Sequence, residues 1–241
     1  MAEWFEEWFG EDYVKIYPHR DETEAGHAVA LITRATGLRA GWQVLDLACG
    51  AGRHARAFQA AGAHCTGLDL SMTLLRMARA AVGAELPLVR ADMRALPIRP
   101  RSMDLTANLF TSFGYFERDA EHAAVLREMT ATIRPGGWLV IDFLNTELVR
   151  RDLVPHEVVE LDGERVTIAR TLSPDGRFVR KTIVVPSGRE YWERVRLFTP
   201  EEITAMLAVE GVIVRHRFGD YQGGPLTPHA PRTILVGQLG P

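Results

Sequence analysis

Two patterns of apolar and polar positions divide the chain. In the first half, short apolar runs alternate with longer stretches in which apolar residues recur every three or four positions, as Ala28, Leu31, Ile32 and Ala35 do. Short runs are typical of buried strands, and the longer spacing indicates helices. Strands and helices in alternation form a parallel sheet covered on both faces. The predicted strands are residues 42–47, 64–69, 87–92, 103–110 and 138–143, and the predicted helices are residues 22–37, 53–61, 71–82 and 119–133.

The second pattern begins after about Glu147. Residues 156–198 contain apolar positions in alternating runs without a helical period, interrupted by the dipeptides Asp162-Gly163, Asp175-Gly176 and Ser187-Gly188. Dipeptides of this kind form the turns of β-hairpins. The segment is therefore predicted to be a small antiparallel sheet of about three or four strands, inserted into an α/β domain.

The α/β pattern resumes at Thr199-Pro200-Glu201-Glu202, a capping box with proline at the first helical position. A helix to Glu210 precedes two last strands that extend the sheet as an antiparallel pair. The fold class is therefore α/β with a Rossmann-like sheet, parallel except for an antiparallel last strand. The predicted domains are an N-terminal arm at 1–21, the α/β domain at 22–150 and 199–241, and the inserted β subdomain at 151–198.

The arm carries aromatic residues at helical spacing. Trp4 and Trp8 are four residues apart, as are Phe5 and Phe9, and acidic residues fall on the opposite side. On a helix these aromatics form one stripe. The stripe packs on the domain surface, closes over a site as a lid, or forms a contact surface between subunits, and the sequence leaves these alternatives open.

The strongest local signal is a strand, a glycine turn and a helix start between Val44 and Ala55. Backbone can approach a ligand closely at such a turn, and a helix N-terminus offers free N–H groups. Gly50 and Gly52 match the dinucleotide pattern G-x-G-x-x-G/A, and Asp69 follows Gly52 by 17 residues. An NAD-dependent oxidoreductase is therefore one hypothesis.

Two features favour a different nucleotide. An acid, Asp46, lies inside the first strand, and another, Asp92, follows the third strand. The predicted antiparallel pair at the end of the chain is the second feature. With these, the sequence resembles the class I S-adenosylmethionine-dependent methyltransferases over about residues 22–147 and 199–238. Four motifs in order carry the resemblance: Val44-Leu45-Asp46-Leu47-Ala48-Cys49-Gly50-Ala51-Gly52, Gly67-Leu68-Asp69-Leu70-Ser71, Ala91-Asp92-Met93 and Arg134-Pro135-Gly136-Gly137-Trp138-Leu139.

The resemblance implies S-adenosylmethionine as the cofactor and assigns roles to the strand ends. Asp69 would accept hydrogen bonds from both ribose hydroxyls. Asp92 would accept one from the adenine amino group, with the Met93 N–H available to a ring nitrogen. Ala48 stands where this family usually carries glycine, and its small side chain keeps the methionine end of the cofactor accessible.

Other residues would complete the cofactor site. Leu70 and Phe110 would cover the adenine and the sulfonium side, and Arg20 or a tyrosine hydroxyl of the arm could bind the carboxylate. The predicted cofactor-binding residues are Tyr13, Tyr17, Arg20, Asp46, Ala48, Cys49, Gly50, Gly52, Arg53, Asp69, Leu70, Asp92, Met93, Asn108, Leu109 and Phe110.

The inserted sheet and the segment 108–116 resemble the branch of small-molecule N-methyltransferases, such as those for glycine and for amino sugars. The predicted reaction is an in-line methyl transfer to a small-molecule acceptor, at nitrogen, in which proximity is the main catalytic term. Phe113, Tyr115, Trp192 and Tyr221 are the predicted substrate residues, and Tyr115 is the one candidate for a catalytic role. A cofactor-binding module without catalysis is the alternative, and no metal is expected.

Composition narrows the partners. The net charge of −3 argues against nucleic acid, which proteins usually bind through a basic face. No apolar run approaches the length of a membrane span, and the N-terminus lacks the features of a signal peptide. With two cysteines in separate predicted strands, the sequence predicts a reduced, cytoplasmic protein. The oligomeric state is left open.

Overall fold

The computed structural model describes residues 3–17, 22–161 and 163–240, which form two β-sheets and eight α-helices. The helices are α1 (Trp4–Trp8), α2 (Glu11–Ile16), α3 (Glu22–Thr36), α4 (Arg53–Ala60), α5 (Met72–Val82), α6 (Asp119–Thr132), α7 (Thr146–Arg151) and α8 (Pro200–Val209). The strands are β1 (Gln43–Leu47), β2 (His64–Asp69), β3 (Leu88–Arg90), β4 (Met103–Asn108), β5 (Ile133–Leu144), β6 (His156–Leu161), β7 (Glu164–Leu172), β8 (Phe178–Val184), β9 (Glu190–Arg196), β10 (Val212–Phe218) and β11 (Arg232–Leu239).

The large sheet has seven strands in the order β10-β11-β5-β4-β1-β2-β3. Strands β1 to β5 pair in parallel, whereas β11 is antiparallel to both β5 and β10. Buried apolar clusters lie against the sheet, because strands covered by helices expose neither face to water. The predicted fold class is confirmed, and the parallel strands bring their carboxyl ends to one edge.

The insertion forms a separate four-stranded antiparallel sheet in the order β6-β7-β8-β9. Its last strand is tied to the loop after β4, where the Arg196 N–H donates to the Gly114 carbonyl over 2.8 Å. Gly114 has φ +101, and a side chain there would approach within 3.0 Å of Val195 and 3.1 Å of Phe143. The glycine therefore permits the close approach that joins the two sheets.

The first two helices pack against the inserted sheet. Trp8 is buried, donates from Nε1 to a Glu193 carboxylate oxygen over 2.5 Å, and contacts the Tyr191 ring at 4.7 Å. The Tyr191 hydroxyl donates to Asp12 over 2.6 Å. On the other side, Ser71 Oγ donates to the Phe9 carbonyl over 2.6 Å. The aromatic stripe is thus buried within the chain, between the insertion and the start of α5.

Three local predictions differ from the structure. Strand β5 begins at Ile133, before the predicted start at Trp138, because the residues around Gly136 continue into the strand through a left-handed turn at φ +76. Strand β4 ends at Asn108, two residues before the predicted end at Phe110. Helix α7 was not predicted, and it is capped by Asn145, whose side chain accepts from the Glu147 N–H. None of the described helices combines the length and apolar character that crossing a bilayer requires.

Candidate functional site

The glycine turn connects β1 to α4 at the carboxyl edge of the large sheet. Ala48, Gly50 and Gly52 have φ of +60, +55 and +81, and Gly52 is the N-cap of α4. A Cβ on Gly52 would meet that of Ala78 on α5 at 3.2 Å. The turn therefore needs glycine at this position both for its left-handed backbone and for its packing.

Asp69, at the end of β2, is fixed by backbone donors. One carboxylate oxygen accepts from the Gly50 N–H and the other from the Ser71 N–H, each over 2.8 Å. Burial raises the pKa of Asp69, and these hydrogen bonds act in the opposite direction. Each oxygen has a second lone pair, so the side chain can accept further hydrogen bonds from a ligand.

Asp92 lies after β3 and is held by Arg94. The guanidinium contacts both carboxylate oxygens, with Arg94 NH2 at 2.6 Å from Oδ2, and it also pairs with Glu121 at 2.7 Å. Burial alone would raise the pKa of Asp92, but the hydrogen bonds from Arg94 lower it overall. The carboxylate is therefore ionised and oriented at neutral pH.

These groups line one cavity of about 230 Å³, which we call the first cavity. The lining also includes Phe5 of α1, Val14 of α2, and Phe9, which lies between the two helices. The cavity brings together most of the predicted cofactor residues, namely Tyr13, Ala48, Cys49, Gly50, Arg53, Asp69, Leu70, Asp92, Met93, Leu109 and Phe110.

Two predicted cofactor residues lie beneath the turn and do not line the cavity. Asp46 is buried, and its Oδ2 has no hydrogen-bond partner in the described residues. Burial, then the charge of Asp69, raise its pKa to about 7. Asn108 is also buried, and it donates to the Leu47 carbonyl over 3.1 Å. Both side chains support the turn from below, because they sit within the strands rather than after them.

Two other predicted residues do not line the first cavity, and a third lies outside the described residues. Gly52 lies against Ala78 of α5 and is the N-cap of α4. Tyr17 contacts Lys181 of the insertion through its hydroxyl and its ring. Arg20 lies outside the described residues.

A second cavity, of about 630 Å³, opens between the large sheet and the inserted sheet. It shares Tyr13, Phe110 and Tyr115 with the first cavity, so the two meet at these three aromatic side chains. The rest of its lining comes from Thr111, the end of β5, α7, the insertion and the start of β11.

The cations that line the second cavity all have carboxylate neighbours. Lys181 Nζ lies 3.7 Å from Glu193, and Arg170 lies 2.7 Å from Glu157. Arg232 donates from Nε to Asp142 over 2.8 Å, and Asp142 is fully buried. Burial lowers the pKa of Lys181, while Glu193 acts to raise it. The described wall is therefore charged at many points without an excess of positive charge.

Three of the four predicted substrate residues line neither cavity. Phe113 is fully buried in the core, 5.4 Å from Phe198, because it points inward from the loop after β4. Trp192 packs against Trp4 at 5.6 Å between ring centroids. Tyr221 donates its hydroxyl to Asp142 over 2.6 Å. Tyr115, by contrast, stands at the boundary of the two cavities and stacks on Phe9 at 5.5 Å.

The residues that sequence reasoning missed belong to the second cavity. Lys181, Glu193 and Arg232 carry no local motif, and the same is true of Asp142, which is outside the lining and binds Arg232. Among the residues that the structure describes, no group of three histidine, cysteine or acidic side chains could hold a metal ion. The only available signal was the occurrence of charged residues on strands of the insertion, which is common on solvated sheets.

Comparisons with known proteins identify methyltransferases that are similar to most of the chain. A family model for a methyltransferase domain matches residues 44–137. A dTDP-4-amino-2,3,4,6-tetradeoxy-D-glucose N,N-dimethyltransferase from Saccharopolyspora spinosa is 32% identical over 199 residues, which cover 78% of this chain and 78% of that protein.

Solved structures agree. The structure of a SAM-bound amino pentose methyltransferase from Micromonospora echinaspora is 25% identical, covers 95% of this chain and 96% of its own, and has a TM-score of 0.69. The CcbJ methyltransferase from Streptomyces caelestis has a TM-score of 0.81 at 21% identity, covering 98% of this chain and 99% of that chain, which is a similarity of fold.

Proposed function

The chain belongs to the S-adenosylmethionine-dependent methyltransferases, and from this membership we propose that it methylates an amino nitrogen of a small molecule of the amino-sugar class. The family predicted from the four motifs is confirmed, and S-adenosylmethionine is the cofactor. The relative from Saccharopolyspora spinosa is named for N,N-dimethylation of an amino sugar. The acceptor class is inferred for this chain from that name and from the second cavity.

We assign the first cavity to the cofactor. Asp69 presents an oriented carboxylate with free lone pairs, which suits the ribose hydroxyls, and Asp92 is an ionised carboxylate that Arg94 orients at the cavity wall, which suits the adenine amino group. The unpartnered Oδ2 of Asp46, beneath the turn, suits a positively charged amino group nearby. S-adenosylmethionine supplies an electrophilic methyl group when bound, and the residues named here bind and orient it.

The meeting of the two cavities at Tyr13, Phe110 and Tyr115 is the observation that carries the proposal. Methyl transfer requires donor and acceptor in line, and alignment of two bound reactants can contribute roughly 7–11 kcal/mol. An acceptor in the second cavity would meet the first at these three side chains. A cofactor-binding module without catalysis would instead have bulky side chains filling that space. The arm and the insertion, residues 1–21 and 151–198, would cover the site from outside.

The second cavity supports nitrogen as the methylated atom. Its described lining contains no histidine, and each of its acids and cations is in an ion pair. A neutral amine needs only to be positioned, whereas a hydroxyl acceptor benefits from a general base. Tyr115 remains the candidate for contact with the acceptor. The paired cations also favour an acceptor without a large negative charge.

Calorimetry with S-adenosylhomocysteine tests the cofactor site. Binding in the micromolar range is expected, and no binding at high micromolar concentration would reject the assignment of the first cavity. NADH is the comparison ligand, because the glycine turn alone also fits a dinucleotide, and it should not bind.

A screen with methyl-labelled cofactor tests the acceptor. Free amino sugars, nucleotide-linked amino sugars and matched hydroxy sugars form three sets, which separate the atom methylated from the charge of the acceptor. Label should enter the amino sugars alone. Label only in hydroxy sugars would overturn methylation at nitrogen.

A further inference from the structure

Phe110 and Thr111 hold an unusual backbone at the boundary of the two cavities. Their φ values are +61 and +65, in the left-handed region, where a residue other than glycine is uncommon and a β-branched one is strained. Strain of this kind persists only where surrounding contacts hold the chain in place. The contacts that hold these two residues therefore also determine where the Phe110 ring lies.

One buried residue, Asp142, supplies most of these contacts through its carboxylate and its carbonyl. Asp142 Oδ2 accepts from the Phe110 N–H over 2.9 Å, and the Asp142 carbonyl accepts from the Thr111 N–H over 2.9 Å. Asp142 is on β5, and its side chain is fully buried. A single residue of a central strand thus binds both strained backbone N–H groups.

Two further side chains orient that carboxylate. Tyr221 donates to the same oxygen as Phe110, over 2.6 Å, and Arg232 Nε donates to Oδ1 over 2.8 Å. Arg232 also donates from NH2 to Thr111 Oγ1 over 3.0 Å, and its guanidinium lies 5.0 Å from the Phe110 ring centroid. The network closes on itself, because Arg232 contacts the carboxylate, the strained turn and the ring.

We propose that Asp142 is a positioning residue for methyl transfer, which fixes the left-handed Phe110–Thr111 turn and thereby holds the Phe110 ring at the boundary between cofactor and acceptor. The inference rests on the proposed assignment of the two cavities. Asp142 touches neither cavity itself. It acts through Phe110, which lines both.

Two cofactor analogues measure this role without an acceptor. S-adenosylhomocysteine lacks the transferable methyl, whereas sinefungin carries a charged amine in that place and so extends toward the boundary. The test variant is Asp142→Asn, which keeps the shape of the side chain. Its NH2 group cannot accept a hydrogen bond, so either the Arg232 donor or the Phe110 N–H loses its acceptor. The dissociation constant of sinefungin should rise about tenfold and that of S-adenosylhomocysteine less than about threefold, by calorimetry.

Asp104→Asn is the matched control. Asp104 is a buried acid on the neighbouring strand β4, accepts from the Gln43 N–H over 2.6 Å and pairs with Arg134 at 2.6 Å, at the opposite end of the sheet. It makes the same kinds of contact far from both cavities. The ratio of the two dissociation constants should stay at the wild-type value in this variant.

The outcomes separate the two proposals. If wild type binds neither analogue, the assignment of the first cavity fails. If wild type binds both and Asp142→Asn leaves the ratio unchanged, or weakens both equally, the positioning role is overturned while the proposed function stands.

Two more variants guard against a failure to fold. Tyr221→Phe removes one hydrogen bond to Asp142 and should shift the ratio about threefold in the same direction; an unchanged ratio would count against the proposal. Thr111→Asn, added to Asp142→Asn, should return the ratio toward wild type, because asparagine tolerates the left-handed region. A role of Asp142 in general stability alone would give no such rescue.

Discussion

The two cavities are built in different ways. The polar residues of the first lie at the carboxyl ends of parallel strands, such as Asp69 at the end of β2 and Asp92 after β3, and they are oriented by groups at the same or the adjacent strand end, such as the Gly50 N–H and Arg94. The second is formed by side chains from distant parts of the chain, and its charged pairs, such as Lys181 with Glu193, join separate strands. The proposed cofactor site and the proposed acceptor site therefore rest on contacts at one sheet edge and on contacts between distant elements, respectively.

The largest expected effect tests the local construction of the first cavity. Asp69→Ala should raise the dissociation constant of S-adenosylhomocysteine about 1000-fold, because two hydrogen bonds to a charged acceptor contribute together about 4 kcal/mol. Asp152→Ala, an exposed acid of the second cavity, should change it less than about twofold. Calorimetry on both variants decides, and affinity within tenfold of wild type would remove Asp69 from the ribose role.

The next effect tests the long-range construction of the second cavity. Lys181→Met leaves Glu193 without its cationic partner in a largely buried place, and should lower the free energy of unfolding by about 3 kcal/mol. Adding Glu193→Gln should restore more than half of this loss, as measured by urea denaturation.

The Lys181→Met variant also shows whether the first cavity binds its ligand independently of the second cavity. The affinity of Lys181→Met for S-adenosylhomocysteine should stay within about threefold of wild type, because Asp69 and Asp92 are untouched. A loss of cofactor affinity in proportion to stability would mean that the two cavities form one cooperative unit.

A smaller effect on stability is expected when the pH is lowered, because His122 is buried in the core. His122 is buried against Phe198 at 4.9 Å, and burial lowers its pKa from 6.5 to about 4. Between these values the unfolded chain binds a proton that the folded chain does not, so stability falls as pH falls. From pH 6.5 to 5.0 this costs about 2 kcal/mol. Urea midpoints at both pH values should differ more for wild type than for His122→Leu, and equal differences would contradict the assignment.

The smallest effect concerns Asp46 beneath the glycine turn. Its pKa of about 7 means that the carboxylate ionises between pH 6 and pH 8. An ionised Asp46 favours the cationic amino group of the ligand, so the affinity for S-adenosylhomocysteine should rise about fivefold over that range, which corresponds to about 1 kcal/mol. Asp46→Asn should show a flatter profile. An identical pH profile would place the amino group away from Asp46.

Much of the fold could be predicted because its signals are local. The apolar runs and helical spacing placed the five parallel strands and their helices within a few residues of the observed bounds, and Thr199 is an N-cap as the capping box predicted. Strand ends were predicted less well at β5, where the Arg134–Gly137 segment suggests a break but continues as strand. Glycines at positions 136 and 137 fit either a turn or a continued strand, so only the pairing of this segment with β4 and β11 decides between the two.

The sequence by itself determined the strand-end residues of the first cavity, because a residue at the end of a parallel strand lies at the carboxyl edge of the sheet whatever the rest of the chain does. Only the tertiary structure decided the second cavity and its boundary. Phe113 and Tyr115 are two residues apart in an irregular loop, yet one is in the core and the other at the boundary. Asp142 acts on Phe110 from another strand, and no periodicity relates them. Contacts between distant segments depend on how two sheets pack, and that arrangement leaves no local pattern in the sequence.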